Sequence, residues 1–447
     1  MAHPQASAER LTLTERLSYG FGDMGTSLAY NMASGFLLYY YTDVVRLPAA
    51  AVGTVFLVAR LLDAIIDMIV GVSVDRTRSR WGRTRVYFLI TALPYALVTV
   101  LVFKVPAWGQ TAQLVYAFAT FKALGILMSL QAIPYTALMP MMTLDTTERL
   151  KLSGMRSVGT SVSVVLGTAA TMPLVGLFGG SDPQRGFVAV AVVFAGIGLI
   201  TTFALFRNCR ERHDDQSNPR FAILPAIGEM LQNRAWLVCF GFCLTYFVRF
   251  GVMMSATAYF AIEVLRSPAM ISVMLPAVAG MLLLSSFVAP PILARTGIRK
   301  GSTIVLAVAA VLFALLPLTE GNLAAFTALY LAACLAPSIT ITAAFTMIAE
   351  CADHHEARFG VRREGLLSSG ISLSTKVGMA LGTAGFAYLL GEVGYTPGHV
   401  TASAREAIRL AYYGSAVLLL TLQVGIVLFW PADRLGDSRG RTPLAAA

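Results

Sequence analysis

Long apolar stretches, separated by short polar segments, recur along the whole chain. Each stretch holds about 20 residues or more, which is the length that an α-helix needs to cross the hydrocarbon core of a bilayer. The pattern therefore predicts an all-α membrane protein with twelve transmembrane helices. The predicted spans are residues 18–43, 50–73, 86–106, 111–139, 153–178, 187–207, 236–263, 268–294, 302–318, 322–348, 366–391 and 408–430.

Basic residues alternate between dense and sparse in successive loops. The second loop holds five arginines between Arg76 and Arg85, whereas each odd-numbered loop holds one basic residue at most. Loops rich in Arg and Lys stay on the cytoplasmic side of the membrane. Both termini are therefore predicted to be cytoplasmic, and a miscounted span would break the alternation.

The longest polar interruption, residues 208–218, divides the spans into two groups of six. A short amphipathic stretch, Phe221–Leu231, follows it and is predicted to lie on the inner membrane surface. The predicted domains are an N-terminal six-helix half (1–207), a central cytoplasmic linker (208–235), a C-terminal six-helix half (236–431) and a cytoplasmic tail (432–447).

Composition agrees with a membrane protein and narrows the partners. The 447 residues are 56% hydrophobic and 13% charged, and the charged share is about half that of a soluble protein. The net charge of +10 lies in the loops, so it indicates a bilayer rather than nucleic acid. The five cysteines imply no disulfide framework. No nucleophile elbow, Walker loop or zinc-helix motif occurs, so neither an enzyme nor a bound cofactor is predicted.

An acidic pair stands in the middle of the second span. Asp63 and Asp67 are four residues apart and therefore lie on one helix face, one turn from each other. A charge in mid-membrane costs about 3 kcal/mol on insertion scales. The two carboxylates are thus predicted to share a proton or a cation such as Na⁺. The alternative is that Arg60 pairs with one of them and the cluster only holds helices together.

The fourth span offers two side chains on one face, Lys122 and Ser129. Ser129 is predicted to give an oxygen to the cation site. Lys122 either supplies a counter-charge or extends its amine to the outer surface, and the second is the plainer interpretation.

A polar stripe on the first span consists of Asp23, Ser27 and Asn31 at steps of four residues. A carboxylate, a hydroxyl and an amide suit a polyhydroxylated ligand, although Ser27 and Asn31 could equally serve bonds between helices. Gln131 on the fourth span is a further candidate for this pocket. A basic residue within a span needs an acidic partner or an anionic ligand, which applies to Arg156, Arg249 and Lys376.

Two cytoplasmic loops carry opposite charges that could form a salt-bridge gate between transport states. The alternative is ordinary cytoplasmic-loop topology. A metal site within residues 353–356 is disfavoured because four adjacent side chains cannot all face one ion. The gating candidates are Asp75, Arg76, Arg80 and Arg83 in the second loop, and Asp353, Glu356 and Arg363 in the tenth.

Several segments, in order along the chain, resemble the glycoside–pentoside–hexuronide cation symporter family of the major facilitator superfamily. The resemblance implies two six-helix halves that rock to expose a cavity to alternate sides. The segments are Tyr19–Asp23, Tyr39–Asp43, Phe56–Asp67, Asp75–Arg85, Ile133–Tyr135 and Asp353–Lys376.

The resemblance also implies roles for individual residues. Asp63 and Asp67 match the family's cation-binding carboxylates, and Ser129 matches a hydroxyl ligand. Arg156 and Lys376 match basic residues near the sugar and the coupling site.

This sequence departs from the family at four positions, one of which is Met68 in place of the proline that often follows the second aspartate. Ser27 and Ala132 stand where melibiose permease has sugar-binding aspartates, which argues against a galactoside. Ile66 stands where the family has an asparagine, which removes a Na⁺ ligand and favours H⁺.

Together these patterns predict a monomeric secondary active transporter of the cell inner membrane. It is expected to couple H⁺ or Na⁺ to symport of a sugar or glycoside by alternating access. The alternatives are a carrier of a non-sugar amphiphile such as a lysolipid, and a membrane sensor on the same scaffold that moves nothing.

Overall fold

The computed structural model describes residues 11–143, 145–212, 223–360 and 364–431. All regular secondary structure in these ranges is helical, as the apolar pattern predicts. The α-helices are α1 (Leu13–Gly22), α2 (Met24–Tyr39), α3 (Ala49–Arg76), α4 (Arg85–Val102), α5 (Gln110–Met142), α6 (Thr146–Val165), α7 (Thr171–Gly179), α8 (Pro183–Asn208), α9 (Ile223–Gln232), α10 (Arg234–Tyr259), α11 (Ile271–Thr296), α12 (Ile298–Leu315), α13 (Leu323–Phe359), α14 (Glu364–Glu392) and α15 (Ala402–Leu428).

Every predicted span coincides with one or two of these helices. Eight helical segments within the described ranges are long and apolar enough to cross a bilayer. The other four predicted spans fall on α2, α3, α11 and α14, and α3 carries charged side chains in its middle. The all-helical fold is confirmed, while the count of twelve spans stays a prediction.

The chain divides into two compact units, of which the first holds α1–α8 and the second holds α9–α15. Each unit has its own buried aromatic residues. Tyr19 stacks on Tyr135 in the first unit, with ring centroids 4.8 Å apart, and Phe260 stacks on Tyr412 in the second at 4.3 Å. The residue bounds of the predicted halves, linker and tail stay a prediction.

Glycines allow the helix backbones to approach closely in both units. A Cβ on Gly198 of α8 would lie 2.8 Å from the carbonyl oxygen of Gly25 on α2. In the second unit, a Cβ on Gly251 of α10 would lie 2.5 Å from the carbonyl oxygen of Met379 on α14. Helices in a bilayer gain little from burying apolar surface against each other, so van der Waals contact between such small residues stabilises their packing.

The same turn follows the first long helix of each unit. A π-helical turn, Tyr40–Val44 or Phe260–Val264, ends the helix. An exposed arginine with positive φ comes next, Arg46 at 67° and Arg266 at 52°. The Leu47 N–H donates to the Tyr41 carbonyl at 2.9 Å, and the equivalent bond in the second unit has the same length. The repeated geometry identifies the two units as copies of one structural plan.

The sequence carries this repeat as well. The segment beginning at Tyr40 reads Tyr-Tyr-Thr-Asp-Val-Val-Arg-Leu-Pro-Ala, and the segment beginning at Phe260 reads Phe-Ala-Ile-Glu-Val-Leu-Arg-Ser-Pro-Ala. An aromatic residue, an acid, a valine, an arginine and a proline recur at identical spacing. Proline restricts its own φ and the conformation of the residue before it, so it contributes to ending the turn.

The predicted tenth loop is partly wrong. Helix α13 continues to Phe359 and ends at Gly360, whose φ of 72° gives a left-handed cap. Asp353 and Glu356 therefore lie on a helix rather than in a loop, and Asp75 and Arg76 likewise lie in the last turn of α3. Hydropathy marks where a helix leaves the bilayer, whereas glycine at the cap marks where the helix itself ends.

The repeated turn generates a prediction about residue choice at Arg46. A non-glycine residue in the left-handed region costs about 1–2 kcal/mol, and a β-branched residue is least tolerated there. We expect Arg46→Val to lower the apparent melting temperature of the purified protein, while Arg46→Gly leaves it nearly unchanged. The same pair of substitutions at Arg266 repeats the test in the second unit. Equal melting temperatures for the Val and Gly variants at both turns would contradict this account.

Candidate functional site

The acidic pair lies on α3 where this helix packs against α5. Asp63 is 6% exposed, and Asp67, one turn further along, is partly buried. Because α3 is a regular helix from Ala49 to Arg76, the four-residue spacing puts both carboxylates on one side. The pair predicted from the sequence is therefore a real feature of the first unit.

Lys122 on α5 contacts Asp63 directly. Its Nζ donates hydrogen bonds to Asp63 Oδ1 at 2.5 Å and to the Ala59 carbonyl oxygen at 3.1 Å. The Lys122 side chain is 11% exposed. The interpretation that this amine extends to the outer surface is therefore wrong, and the counter-charge interpretation is right.

A second basic group, Arg60, approaches the other oxygen of the same carboxylate. Arg60 Nη1 lies 3.9 Å from Asp63 Oδ2. The guanidinium also lies over two aromatic rings, 5.3 Å from the centroid of Tyr30 and 5.4 Å from that of Phe121. These cation–π contacts hold Arg60 near Asp63. The pairing weighed as an alternative from the sequence is present, and Lys122 adds to it.

Ser129 is positioned against the second acid. Its hydroxyl donates to Asp67 Oδ1 at 2.5 Å, and Ser129 is 9% exposed. Lys122 and Ser129 lie two turns apart on α5, so one face of this helix serves both carboxylates. A role of Asp63, Asp67 and Ser129 in binding a cation stays a prediction.

Electrostatics explains why the ionisable side chains Arg60, Asp63, Asp67 and Lys122 occur together. Two unit charges 4 Å apart attract by about 4 kcal/mol at an effective dielectric constant of 20. This attraction offsets the cost of removing ammonium and carboxylate groups from water, whereas either group alone would be strongly unfavourable. The ion pair of Asp63 with Lys122 therefore makes a charged face on α3 compatible with a membrane span.

Gly125 provides the space that the Asp63 carboxylate occupies. A Cβ on this residue would lie 2.8 Å from Asp63 Oδ1. Gly125 is three residues after Lys122, so both face the same carboxylate from α5. The sequence gives no direct sign of this role, because a single glycine in a span is common.

The polar stripe of the first span forms a second cluster, which includes one residue that sequence reasoning missed. The hydroxyls of Ser27 and Thr160 donate to Asp23 Oδ2 at 3.0 and 2.7 Å. Thr160 lies on α6, one turn after Arg156. Asn31 donates to the Ser27 carbonyl oxygen at 2.8 Å. Asp23 and Ser27 are thus brought together, while the Asn31 amide is engaged within its own helix.

Arg156 and Gln131 lie in the same unit. The Arg156 guanidinium is 4.8 Å from the ring centroid of Tyr135, whose hydroxyl donates to the Tyr19 carbonyl oxygen at 2.7 Å. Gln131 is 3% exposed, and its Nε2 has no hydrogen-bond partner among the described residues. A buried amide of this kind can donate to a ligand.

Lys376 and Arg249 belong to the second unit. Lys376 lies on α14 and is partly buried. Arg249 on α10 is 4% exposed, lies 5.0 Å from the ring centroid of Tyr246, and donates from Nη1 to Met253 Sδ at 3.3 Å. Its Nε has no hydrogen-bond partner within the described ranges. A substrate role for Lys376 stays a prediction.

The structure shows the exposure and the contacts of several gating candidates. Arg76 and Arg80 are exposed, and Arg80 lies 4.2 Å from the ring centroid of Trp81. The backbone N–H of Arg83 donates to Glu211 at 2.8 Å. Arg363 lies outside the described residues, as do the side chains of Asp75 and Asp353, while Glu356 is exposed on α13. The gate stays a prediction.

Ion pairs at the start of α1 and α6, outside the spans, were not anticipated from the sequence. Arg16 and Lys151 both donate to Glu148, at 2.8–3.0 Å. Arg212 donates to Glu15 at 2.6 Å. The bond from Lys151, followed by that from Arg16, lowers the pKa of the Glu148 carboxyl. These pairs join segments of the first unit that are far apart along the chain, so no local sequence pattern predicts them.

A helical fold with paired acids and bases inside its long helices is typical of a membrane transporter. The family model described as "MFS/sugar transport protein" matches residues 18–434. The chain therefore belongs to this family, and the resemblance to glycoside–pentoside–hexuronide symporters is confirmed.

Individual relatives extend over nearly the whole chain. The isoprimeverose transporter of Lactiplantibacillus pentosus is 30% identical over 431 residues, covering 94% of this chain and 89% of that protein. The glucuronide carrier protein homolog of Escherichia coli (strain K12) is 29% identical over 443 residues, covering 95% and 93%. These relatives are membrane transporters, not enzymes.

Solved structures agree on the fold. A bacterial homologue of the human lysosomal transporter Spinster, in an inward-facing and occupied conformation, matches with a TM-score of 0.70. It covers 97% of this chain and 98% of its own at 15% identity. At this identity the likeness establishes the fold alone.

The position of Gly125 generates a prediction about the ion pair. In Gly125→Ala the new methyl group pushes on the Asp63 carboxylate and disturbs its contact with Lys122. We expect a stability loss of about 1–3 kcal/mol, measured as a lower melting temperature. Gly71→Ala on α3 is the matched control, because a Cβ there meets nothing within 4 Å. Indistinguishable melting temperatures for the two variants would show that Gly125 is not packed on the site.

The Glu148 ion pairs generate a prediction about pH. Because the folded-state pKa lies below its ordinary value of 4.5, the carboxylate stabilises the fold fully above that value. The stabilisation is lost as pH falls through the lowered pKa. We expect Glu148→Gln to lower the melting temperature at neutral pH and to flatten its fall in acid.

Glu406→Gln is the control for this experiment. Its carboxylate pairs with Arg409 at 3.2 Å but is 69% exposed, so little change is expected. A Glu148→Gln protein with the wild-type dependence of melting temperature on pH would refute the role of these ion pairs.

Proposed function

We propose that the protein is a secondary active transporter that couples movement of a sugar or glycoside to a cation. The observation that carries the proposal is the group of two acids, two basic side chains and one hydroxyl where α3 meets α5. Ionisable side chains are rare in membrane spans and mark ion or substrate pathways. Beyond the ion pairs that Lys122 and Arg60 make with Asp63, this cluster holds a second acid, Asp67, which accepts a hydrogen bond from the Ser129 hydroxyl.

The substrate class is proposed from the polar cluster and from the relatives. Asp23, Ser27 and Thr160 present a carboxylate and two hydroxyls, with the amide of Gln131 and the guanidinium of Arg156 elsewhere in the same unit. Hydroxyl-rich ligands are recognised by such mixed donors and acceptors. Relatives carry names for isoprimeverose and glucuronide transport. These observations support a sugar or glycoside over a lysolipid.

Coupling is proposed to work by linkage between two sites. If the state with a cation bound favours substrate binding, then substrate favours cation binding by the same factor. Alternating access of the bound pair to the two sides converts an ion gradient into a sugar gradient. The proposed location is the inner membrane with both termini cytoplasmic, supported by the dense arginines of the even-numbered loops.

Uptake by the purified protein in proteoliposomes tests the proposal. An imposed cation gradient, tested separately with protons and with sodium, should drive accumulation of a labelled sugar from a panel of isoprimeverose, a glucuronide and melibiose. We expect Asp67→Asn to reduce concentrative uptake at least about tenfold, while exchange of labelled for unlabelled sugar persists. Asp63→Asn should also lose accumulation, because it removes the partner of Lys122.

Asp182→Asn is the matched control. Asp182 is exposed and caps α8 by accepting from the Arg185 N–H at 3.2 Å, and asparagine caps a helix equally well. This variant should accumulate sugar like the wild type. Wild-type accumulation ratios in Asp67→Asn would overturn the coupling role. A sugar that raises the melting temperature but never enters the vesicles would favour a sensor, and uptake of lysolipid alone would favour an amphiphile carrier.

A further inference from the structure

The contacts of Lys122 bear on which cation the transporter can use. We propose that the Lys122 ammonium is a tethered cation that occupies the place beside Asp63 which an alkali metal ion would need. It thereby excludes sodium from the acidic pair. The proposal deepens the proposed transport function and rests on it for its physiological meaning, but occupancy of the site can be measured without any sugar.

The ammonium uses the oxygen ligands that a metal ion would use. Its Nζ bonds Asp63 Oδ1 at 2.5 Å and the Ala59 carbonyl oxygen at 3.1 Å, and these two acceptors lie one turn apart on α3. Hard cations bind through the same kinds of oxygen, carboxylate and backbone carbonyl. An ion at this place would therefore have to displace a group that is covalently attached and always present.

Two further groups of the described residues lie close to Asp63. Arg60 Nη1 faces Oδ2 at 3.9 Å, and the backbone of α5 at Gly125 leaves room for the carboxylate but not for one more carbon atom. A sodium ion near Oδ2 would lie close to two fixed positive charges. Like charges repel more strongly in a low-dielectric interior than in water.

The four ionisable side chains described in this cluster balance in formal charge without an added ion. Arg60 and Lys122 are basic, while Asp63 and Asp67 are acidic. A bound sodium ion would leave one uncompensated positive charge in a membrane span, which is costly. The sequence predicts that the acidic pair needs a cation, and the Lys122 ammonium of the same chain supplies one.

The test compares sodium with choline at constant ionic strength, using the purified protein and no sugar. Melting temperature and tryptophan fluorescence report binding, because a ligand of the folded state stabilises it by mass action. We expect no saturable effect of sodium on the wild type. In Lys122→Gln and Lys122→Ser, sodium should produce a saturable rise of about 2 °C or more.

Three further variants separate exclusion from a purely structural ion pair. Lys122→Arg keeps a tethered cation and should stay insensitive to sodium. The double variant Lys122→Gln with Asp63→Asn removes the carboxylate and should lose the response gained by Lys122→Gln. Ser129→Ala alters the same face of α5 without touching Lys122 and should gain no response.

Either of two results overturns the proposal. One is saturable sodium binding by the wild type, a measurement that needs no variant. The other is absence of a sodium response in folded Lys122→Gln and Lys122→Ser, which would make Lys122 a structural partner only. Failure of sugar uptake in proteoliposomes would instead overturn the proposed function and leave the sodium titration unaffected.

Discussion

A charge inside a membrane span must have its opposite beside it, and the middle of α3 depends on this constraint. Asp63 is nearly inaccessible, and the ammonium of Lys122 reaches it from the neighbouring helix. Because each group stabilises burial of the other, α3 and α5 are bound by a contact that lipid cannot replace. Gly125 then sets how closely the two helices approach at that point. The packing of α3 against α5 and the ion pair between Asp63 and Lys122 therefore depend on each other, so a change in one affects the other.

The sequence predicts the helices well because hydrophobic length is a direct consequence of bilayer thickness. It also predicts that Asp63 and Asp67 share a side of α3, and that Ser129 lies on the same face of α5 as Lys122, since both follow from helical periodicity. It predicts the end of α13 less well. An apolar run reports where lipid ends, whereas Gly360 determines where the helix ends.

Contacts between distant segments could not be predicted from the sequence. Helical periodicity predicts which face of α5 holds Lys122 but not how that face is turned towards α3. The sequence therefore does not decide whether Lys122 contacts Asp63 or extends to the membrane surface. Glu211 accepts from the backbone N–H groups of Arg83, Thr84 and Arg85, and backbone donors leave no trace in residue identity. Thr160 was recoverable in principle, because its hydroxyl stands one turn after a noted arginine. The duplicated turn at Arg46 and Arg266 is visible in the sequence as a repeat between the two halves.

The duplicated turn shows that both units use one structural plan, yet the second long helices of the two units differ in chemistry. Helix α3 retains an arginine and two aspartates in its middle, whereas α11 has no charged residue before Arg295. Of these two corresponding helices, only α3 therefore has to compensate buried charge in its middle. Helix α11 is free of that electrostatic constraint. Substitutions in its apolar stretch have to preserve hydrophobicity and packing but no ion pair within that stretch.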